Sequence, residues 1–167
     1  MGERLLQVGL DDPRVAGALA AKVGLSGHAV FVVGDEGTAE KARAAAASSG
    51  ALVDVHVSAL DSLPFPERTF DLVVVNSKRG QLASLEPSLR TRALGEFHRV
   101  LRTGGRLVIV ETGTRSGLAM LFRSRATSGP ALEAGGVLAA LQGARFTLVR
   151  PLGDREGYRF TEGLKSR

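Results

Sequence analysis

The chain has 167 residues, a formal net charge of +5 and no cysteine, which fits one domain with a real core and excludes disulfides and thiolate metal sites. Its 44% hydrophobic and 23% charged residues are the balance of a globular protein. No apolar run reaches membrane-spanning length and no leader pattern precedes the first strand, so a single cytoplasmic domain over residues 1–167 is expected.

The apolar run Leu5–Val8 predicts a first strand. Gly9-Leu10-Asp11-Asp12-Pro13 follows and opens a helix over Arg14–Val23, with Val15, Leu19 and Val23 at four-residue spacing. In an α/β protein this first strand-to-helix turn is where a nucleotide-like cofactor docks. A turn at residues 25–28 leads to Ala29–Val33, apolar throughout as a strand buried on both faces should be. Thr38–Ser48 reads as an Ala-rich helix stopped by Gly50. Val53–Val57 is a third strand, Leu60–Thr69 a loop with Pro64 and Pro66, and Phe70–Asn76 a fourth strand. Pro87–Leu101 is a helix with Leu89, Ala93, Phe97 and Val100 on one face. A Gly104-Gly105 turn then gives strand Arg106–Glu111.

Strands alternating with helices argue a parallel, doubly wound α/β sheet. Beyond it lies a Gly/Ser/Arg-rich connection, Thr112–Gly129, carrying an apolar patch at Leu118–Phe122. A short helix is expected over Ala131–Gln142. Strands Arg145–Arg150 and Tyr158–Thr161, joined by residues 151–157, form a terminal antiparallel hairpin.

Two stretches carry a family resemblance. Leu63-Pro-Phe-Pro-Glu-Arg-Thr-Phe-Asp-Leu-Val-Val-Val75 and Glu96-Phe-His-Arg-Val-Leu-Arg-Thr-Gly-Gly-Arg-Leu-Val-Ile-Val110 are similar to the loop–strand and helix–strand units of class I S-adenosylmethionine-dependent methyltransferases, type-11-like. The resemblance covers essentially the whole chain. It implies a Rossmann-like sheet of seven strands in the order 3-2-1-4-5-7-6, with strand seven antiparallel, and S-adenosylmethionine as cofactor. These stretches define a fold and carry no chemistry of their own.

The residues that would carry chemistry depart from the family pattern. Where the family has roughly Asp-x-Gly-x-Gly-x-Gly, the matched residues here are Gln7, Gly9, Asp11 and Pro13. The acid that grips the ribose is replaced by Val33, with Asp35 two residues later. The acid beside the adenine is replaced by Ala59, with Asp61 shifted by two. A glycine loop works because bare backbone lets a ligand approach and helix-end N–H groups attract anions. Asp11 adds a carboxylate where the cofactor's own carboxylate docks. Two like charges about 4 Å apart repel by ~1 kcal/mol in water and by ~4 kcal/mol at an effective dielectric of ~20. Asp12 and Pro13 are favoured at a helix N-cap and first turn, so they would cap the helix themselves.

The cofactor-site candidates are therefore Gly9, Asp11, Asp35, Asp61 and Asn76, and no catalytic residue is assigned. Asn76 stands at the end of the fourth strand, where it would orient an acceptor, and Lys78 or Arg79 would hold an anionic one; a solvated basic turn is the plainer reading. Glu111 ends the fifth strand at the same edge. His28, His56 and His98 are scattered without metal-ligand spacing, so no metal site is expected, and His28 and His56 have no evident partner. The expected function is a methyltransferase-like domain that has lost normal S-adenosylmethionine binding and acts as a non-catalytic binding or assembly module. The alternative is an active small-molecule methyltransferase using Asp35 or Asp61 in place of the missing acids. A homo-oligomer or protein partner would dock on the Leu118–Phe122 patch and its arginines, and no membrane is involved. Arginines also cluster at 99, 102 and 106 and at 115, 123 and 125, but with one Tyr and no Trp a solvated basic surface is preferred to a nucleic-acid face.

Overall fold

The computed structural model describes residues 2–9, 27–48, 50, 52–77, 80–112 and 134–166. The elements are β1 (Arg4–Val8), β2 (His28–Val33), α1 (Glu36–Ser48), β3 (Val53–Val57), β4 (Phe70–Ser77), α2 (Gln81–Ser84), α3 (Pro87–Val100), β5 (Leu101–Thr112), α4 (Ala134–Gly143), β6 (Thr147–Arg155) and β7 (Tyr158–Leu164). The strands form one sheet in the order β3-β2-β1-β4-β5-β7-β6. β1 to β5 pair in parallel, and β7 runs antiparallel to both β5 and β6. This is the doubly wound, seven-stranded Rossmann-like sheet that the sequence implied.

The two sheet faces are covered by different helices. Leu6, Val8, Val30, Val32, Val73, Val75, Leu107 and Ile109 share one core with Ala93, Leu94, Phe97 and Val100 of α3 and Val137 and Leu141 of α4. Ala29 and Phe31 on the other face pack against Ala42 of α1, with Val53 and Val55 beside them. An alanine-lined helix suits that second face because small side chains let α1 sit close to β2 and β3. β2 is buried along five of its six residues, whereas edge strand β3 is largely exposed.

Three sequence expectations shift. Gly104-Gly105 is no separate turn: β5 runs unbroken from Leu101, and a bulge absorbs the glycines, since Phe70 pairs with Leu101 but Leu72 pairs with Arg106. The hairpin strands are longer than composition suggested, because β6 continues through Pro151 to Arg155 and turns only at Glu156-Gly157. Pro151 is tolerated there because β6 is an edge. The four-residue α2 was not expected, being too short to leave a periodic signal. The expected helix Arg14–Val23 and the patch Leu118–Phe122 lie outside the described residues.

Two long-range locks fix the sheet against α3. Arg99 donates to the carbonyls of Phe65 (2.8 Å) and Leu63 (3.1 Å), while Glu96 accepts from the Leu63 amide (2.8 Å). The two side chains pair with each other at 2.6 Å, and that pairing holds the Glu96 carboxyl below its usual range. At the other end of the chain, the Lys165 ammonium donates to the carbonyls of His98 and Leu101, both at 2.7 Å. It thereby closes the C-terminus of α3, where unpaired carbonyls attract a cation.

Gly105 has no room for a side chain. A Cβ there would lie 2.9 Å from the Arg102 carbonyl oxygen, 3.1 Å from that of Asp71 and 3.0 Å from a Leu101 methyl. Two of these neighbours are backbone and cannot swing away. Gly105→Ala is expected to lower the unfolding free energy by about 1–3 kcal/mol, read from urea denaturation. An unchanged midpoint would mean that the bulge relaxes freely.

Candidate cofactor and acceptor site

The C-terminal ends of the parallel strands meet in one row. Val33 pairs with Val57, and Asn76 pairs with Val110. Gly9 extends β1 between them: its amide donates to the Val32 carbonyl at 3.0 Å. Its φ of 76° is a conformation that favours glycine. A Cβ at Gly9 would sit 3.0 Å from the Asn76 carbonyl oxygen and 3.9 Å from Oε1 of Gln81. The close approach of the ends of β1 and β4 therefore requires a glycine here.

Beneath Gly9 lie two polar side chains in an otherwise apolar setting. Gln7 is 1% exposed and Asn76 5%. Gln7 is in register with Val74, so Gln7 and Asn76 project from the same face of the sheet. The amide nitrogen of Gln7 reaches the Gly9 carbonyl at 3.5 Å. The carbonyl oxygens Gln7 Oε1 and Asn76 Oδ1 have no hydrogen-bond donor among the described residues. A buried acceptor left without a donor costs about 1–3 kcal/mol, so both sites are set to receive a donor from beyond the described residues.

The sequence candidates divide in the structure. Gly9 and Asn76 come together. Asp35 is committed elsewhere: its two carboxylate oxygens accept from the Thr38 amide and hydroxyl, each at 2.8 Å. The Thr38 amide, chiefly, holds this carboxyl below its usual range. It serves as a cap on the first turn of α1. Asp61 is held by Arg92 of α3 at 3.1 Å, on the loop between β3 and β4. Asp11, with Asp12, Pro13, Lys78 and Arg79, lies outside the described residues. Val33 is 2% exposed, and its side chain offers no hydrogen bond.

The histidines do find partners. His28 pairs with Asp54 at 2.9 Å. The rings of His56 and His98 stand edge-on to Phe65 and Phe146, each at 5.1 Å between centroids. Burial, then the charges of Lys165 and Arg145, push His98 below its usual range. The arginines at 99, 102 and 106 do not make a free basic face, since they pair with Glu96, Asp71 and Glu162. Among the described residues no group of histidine and acidic side chains is placed to hold a metal ion, and no helix is long and apolar enough to cross a membrane.

S-adenosylmethionine presents an ammonium, a carboxylate, a ribose diol and an adenine. The unpartnered acceptors on Gln7 and Asn76 have the chemistry to take an ammonium. After β2 stand Val33 and a capped Asp35, so no carboxylate on that described stretch is open to grip a diol. Gln7 stood out in the sequence only as a departure from the family's acid. Gln81 left no signal, because its place beside Gly9 is set by tertiary packing.

A further acid, Glu111, stands at this edge among the described residues. Glu111 is 7% exposed and stands between Ser77 of β4 and Arg159 of β7. Burial lifts its carboxyl above the usual range, and the Arg159 charge pulls back in the opposite sense. A carboxyl raised on folding is least costly when protonated. Stability from this group is therefore complete below its unfolded-state value and is lost as pH rises toward the folded one. Urea midpoints of the parent chain are expected to fall relative to Glu111→Gln between pH 4 and pH 7. Parallel pH profiles would show that burial imposes no such penalty.

The methyltransferase domain family matches residues 5–105. A demethylmenaquinone methyltransferase of Clavibacter sepedonicus is 35% identical over 113 residues, covering 68% of this chain and 42% of the relative. One from Symbiobacterium thermophilum is 31% identical over 112 residues, covering 66% and 43%. The chain thus spans less than half the length of the curated relatives it matches. Among solved structures, a SAM-dependent methyltransferase of Methanosarcina mazei superposes with a TM-score of 0.74 at 20% identity, covering 99% of this chain and 93% of that one.

Proposed function

The chain belongs to the methyltransferase domain family, whose cofactor is S-adenosylmethionine, and on that premise we propose that it binds this cofactor by its methionine end and methylates a small molecule. The observation that carries the reading is the pair of buried acceptors on Gln7 and Asn76, on one face of the sheet near Gly9. An ammonium donates to both and restores the hydrogen bonds that the fold leaves unmade. The bound cofactor supplies an electrophilic methyl group; the chain supplies alignment and exclusion of water. A ring carbon of a quinol is the acceptor we favour, because two curated relatives are named for demethylmenaquinone and a third is named a C-methyltransferase of quinone biosynthesis.

Val33 and the capped Asp35 favour a second reading, the non-catalytic binding or assembly module. The family membership lends that reading no support, and Asp11 to Pro13, on which it also rests, lie outside the described residues. The two readings separate on affinity. On the first, S-adenosylmethionine binds, but more weakly than a β2 carboxylate would allow.

Calorimetric titration with S-adenosylmethionine and S-adenosylhomocysteine tests this. Measurable binding by the parent chain is expected. Asn76→Leu should weaken it about tenfold while raising the urea midpoint, since an apolar side chain removes an unmet acceptor. Val33→Asp should tighten it by roughly tenfold or more, the worth of a charge-assisted hydrogen bond to the diol. No binding of either compound at millimolar concentration would sink the proposal in favour of the non-catalytic module.

A further inference from the structure

We propose that β3 is the interface of a symmetric dimer, in which two copies of the chain pair strand to strand and join their sheets into one. The inference stands apart from the methyltransferase reading. The two edges of the sheet meet solvent differently. β6 is guarded: Pro151 lacks a donor, two register shifts interrupt its pairing with β7, and Leu148 (φ 47°) and Gly153 (φ 130°) bend its backbone away from a flat strand. β3 carries no such guard. Its residues, Val-Asp-Val-His-Val, run in unbroken register with β2 and include neither proline nor lysine. Among the described residues no strand pairs with its outer side. Apolar side chains stay open there as well: Leu52, just before the strand, is 92% exposed and Val57 43%. A regular, unguarded edge is a template for another strand.

The backbone decides which residues would bond. The Ser58 amide donates to the Val33 carbonyl of β2 at 3.1 Å. Along a strand, alternate residues turn their N–H and C=O groups to opposite sides. Asp54 and His56 therefore share the β2 side with Ser58, and Val53, Val55 and Val57 offer their backbone groups outward.

A second copy running antiparallel satisfies all three valines when Val55 faces the partner's Val55 and Val53 faces the partner's Val57. Each such pair exchanges both of its backbone hydrogen bonds. Asp54 then falls opposite the partner's His56, in the non-hydrogen-bonded position where side chains come closest. Two-fold symmetry makes this contact twice. Asp54 already meets His28 at 2.9 Å, and a carboxylate has acceptor sites for a second imidazole. Sliding the copy to the next register on either side sets two Asp54 carboxylates or two His56 rings face to face. Charge and hydrogen bonding thus select one occupant, a second copy, and one register. Both copies of α1 would lie on the same face of the joined sheet. Its second half, Ala44 to Ala47, is alanine throughout, so no long side chain there holds the two helices apart.

Sedimentation equilibrium of the full chain, from micromolar to millimolar concentration, is expected to show a monomer–dimer equilibrium. Amide hydrogen exchange read by NMR at both ends of that range reports the register. Protection should rise with concentration at Val53, Val55 and Val57 and stay level at Asp54 and His56, whose amides face β2. His56→Glu sets a carboxylate opposite the partner's Asp54 at both symmetric positions and should weaken the dimer about tenfold. Adding Asp54→Arg to His56→Glu restores an opposite-charge pair and should recover the parent affinity. Both side chains are exposed, and far-UV circular dichroism checks that the variants fold; if one does not, the exchange pattern of the parent chain decides alone. A chain that stays monomeric at millimolar concentration overturns the proposal. So does a dimer whose added protection falls away from β3, or a folded double variant that associates no better than His56→Glu.

Discussion

The parallel pairing of β2, β1, β4 and β5 is the constraint on which the rest depends. It forces the ends of four strands to one edge, so that Val33, Gly9, Asn76 and Val110 fall in a row although they are far apart in sequence. Parallel strands need crossover segments, and the crossovers cover the faces. The strand ends are the one place where polar groups on different strands can meet around a ligand. β1, in the middle, is buried along four of its five residues. A polar Gln7 inside it is costly unless it serves a purpose at that edge.

The Glu96–Arg99 clamp shows how the site is held from a distance. Neither residue touches the row of strand ends. Both grip the loop that delivers the chain from β3 to β4: Arg99 caps the carbonyls of Leu63 and Phe65, and Glu96 holds the Leu63 amide. The Leu63 carbonyl also accepts from the Phe65 amide at 2.8 Å, and the Leu63 side chain is buried, so the clamp reinforces a tight turn. A fixed loop sets where β4 begins, and the register of β4 sets where Asn76 ends. The clamp therefore acts on the site by position.

Much of the fold was legible in sequence because periodicity reports burial directly. β3 falls on the same residues in both readings, and the apolar runs of β1, β2 and β4 and the Phe97 face of α3 fell where they were expected. What escaped was set by tertiary geometry. The glycines at 104 and 105 read as a turn, since composition cannot tell a turn from a bulge stitched to β4 and to Lys165. Within the site, the residue types were visible but their engagements were not. Asp35 looked available until its place one residue before α1 made it a cap. Asp61 looked available until α3 brought Arg92 to it. Conversely, Glu111 was one polar strand end among several, and only its burial in the structure distinguishes it. A sequence shows which acids are near an edge, and packing decides which are committed.

The pleat adds a last consequence. Adjacent residues on a strand face opposite sides, so Asn76 projects from the α1 face of the sheet while Ser77 and Glu111 project from the α3 face. Gln7 shares the side of Asn76. The two carbonyl acceptors and the buried acid are thus divided by the sheet itself. Alternation along two adjacent strands places them on opposite faces although all of them stand toward the same end of the sheet.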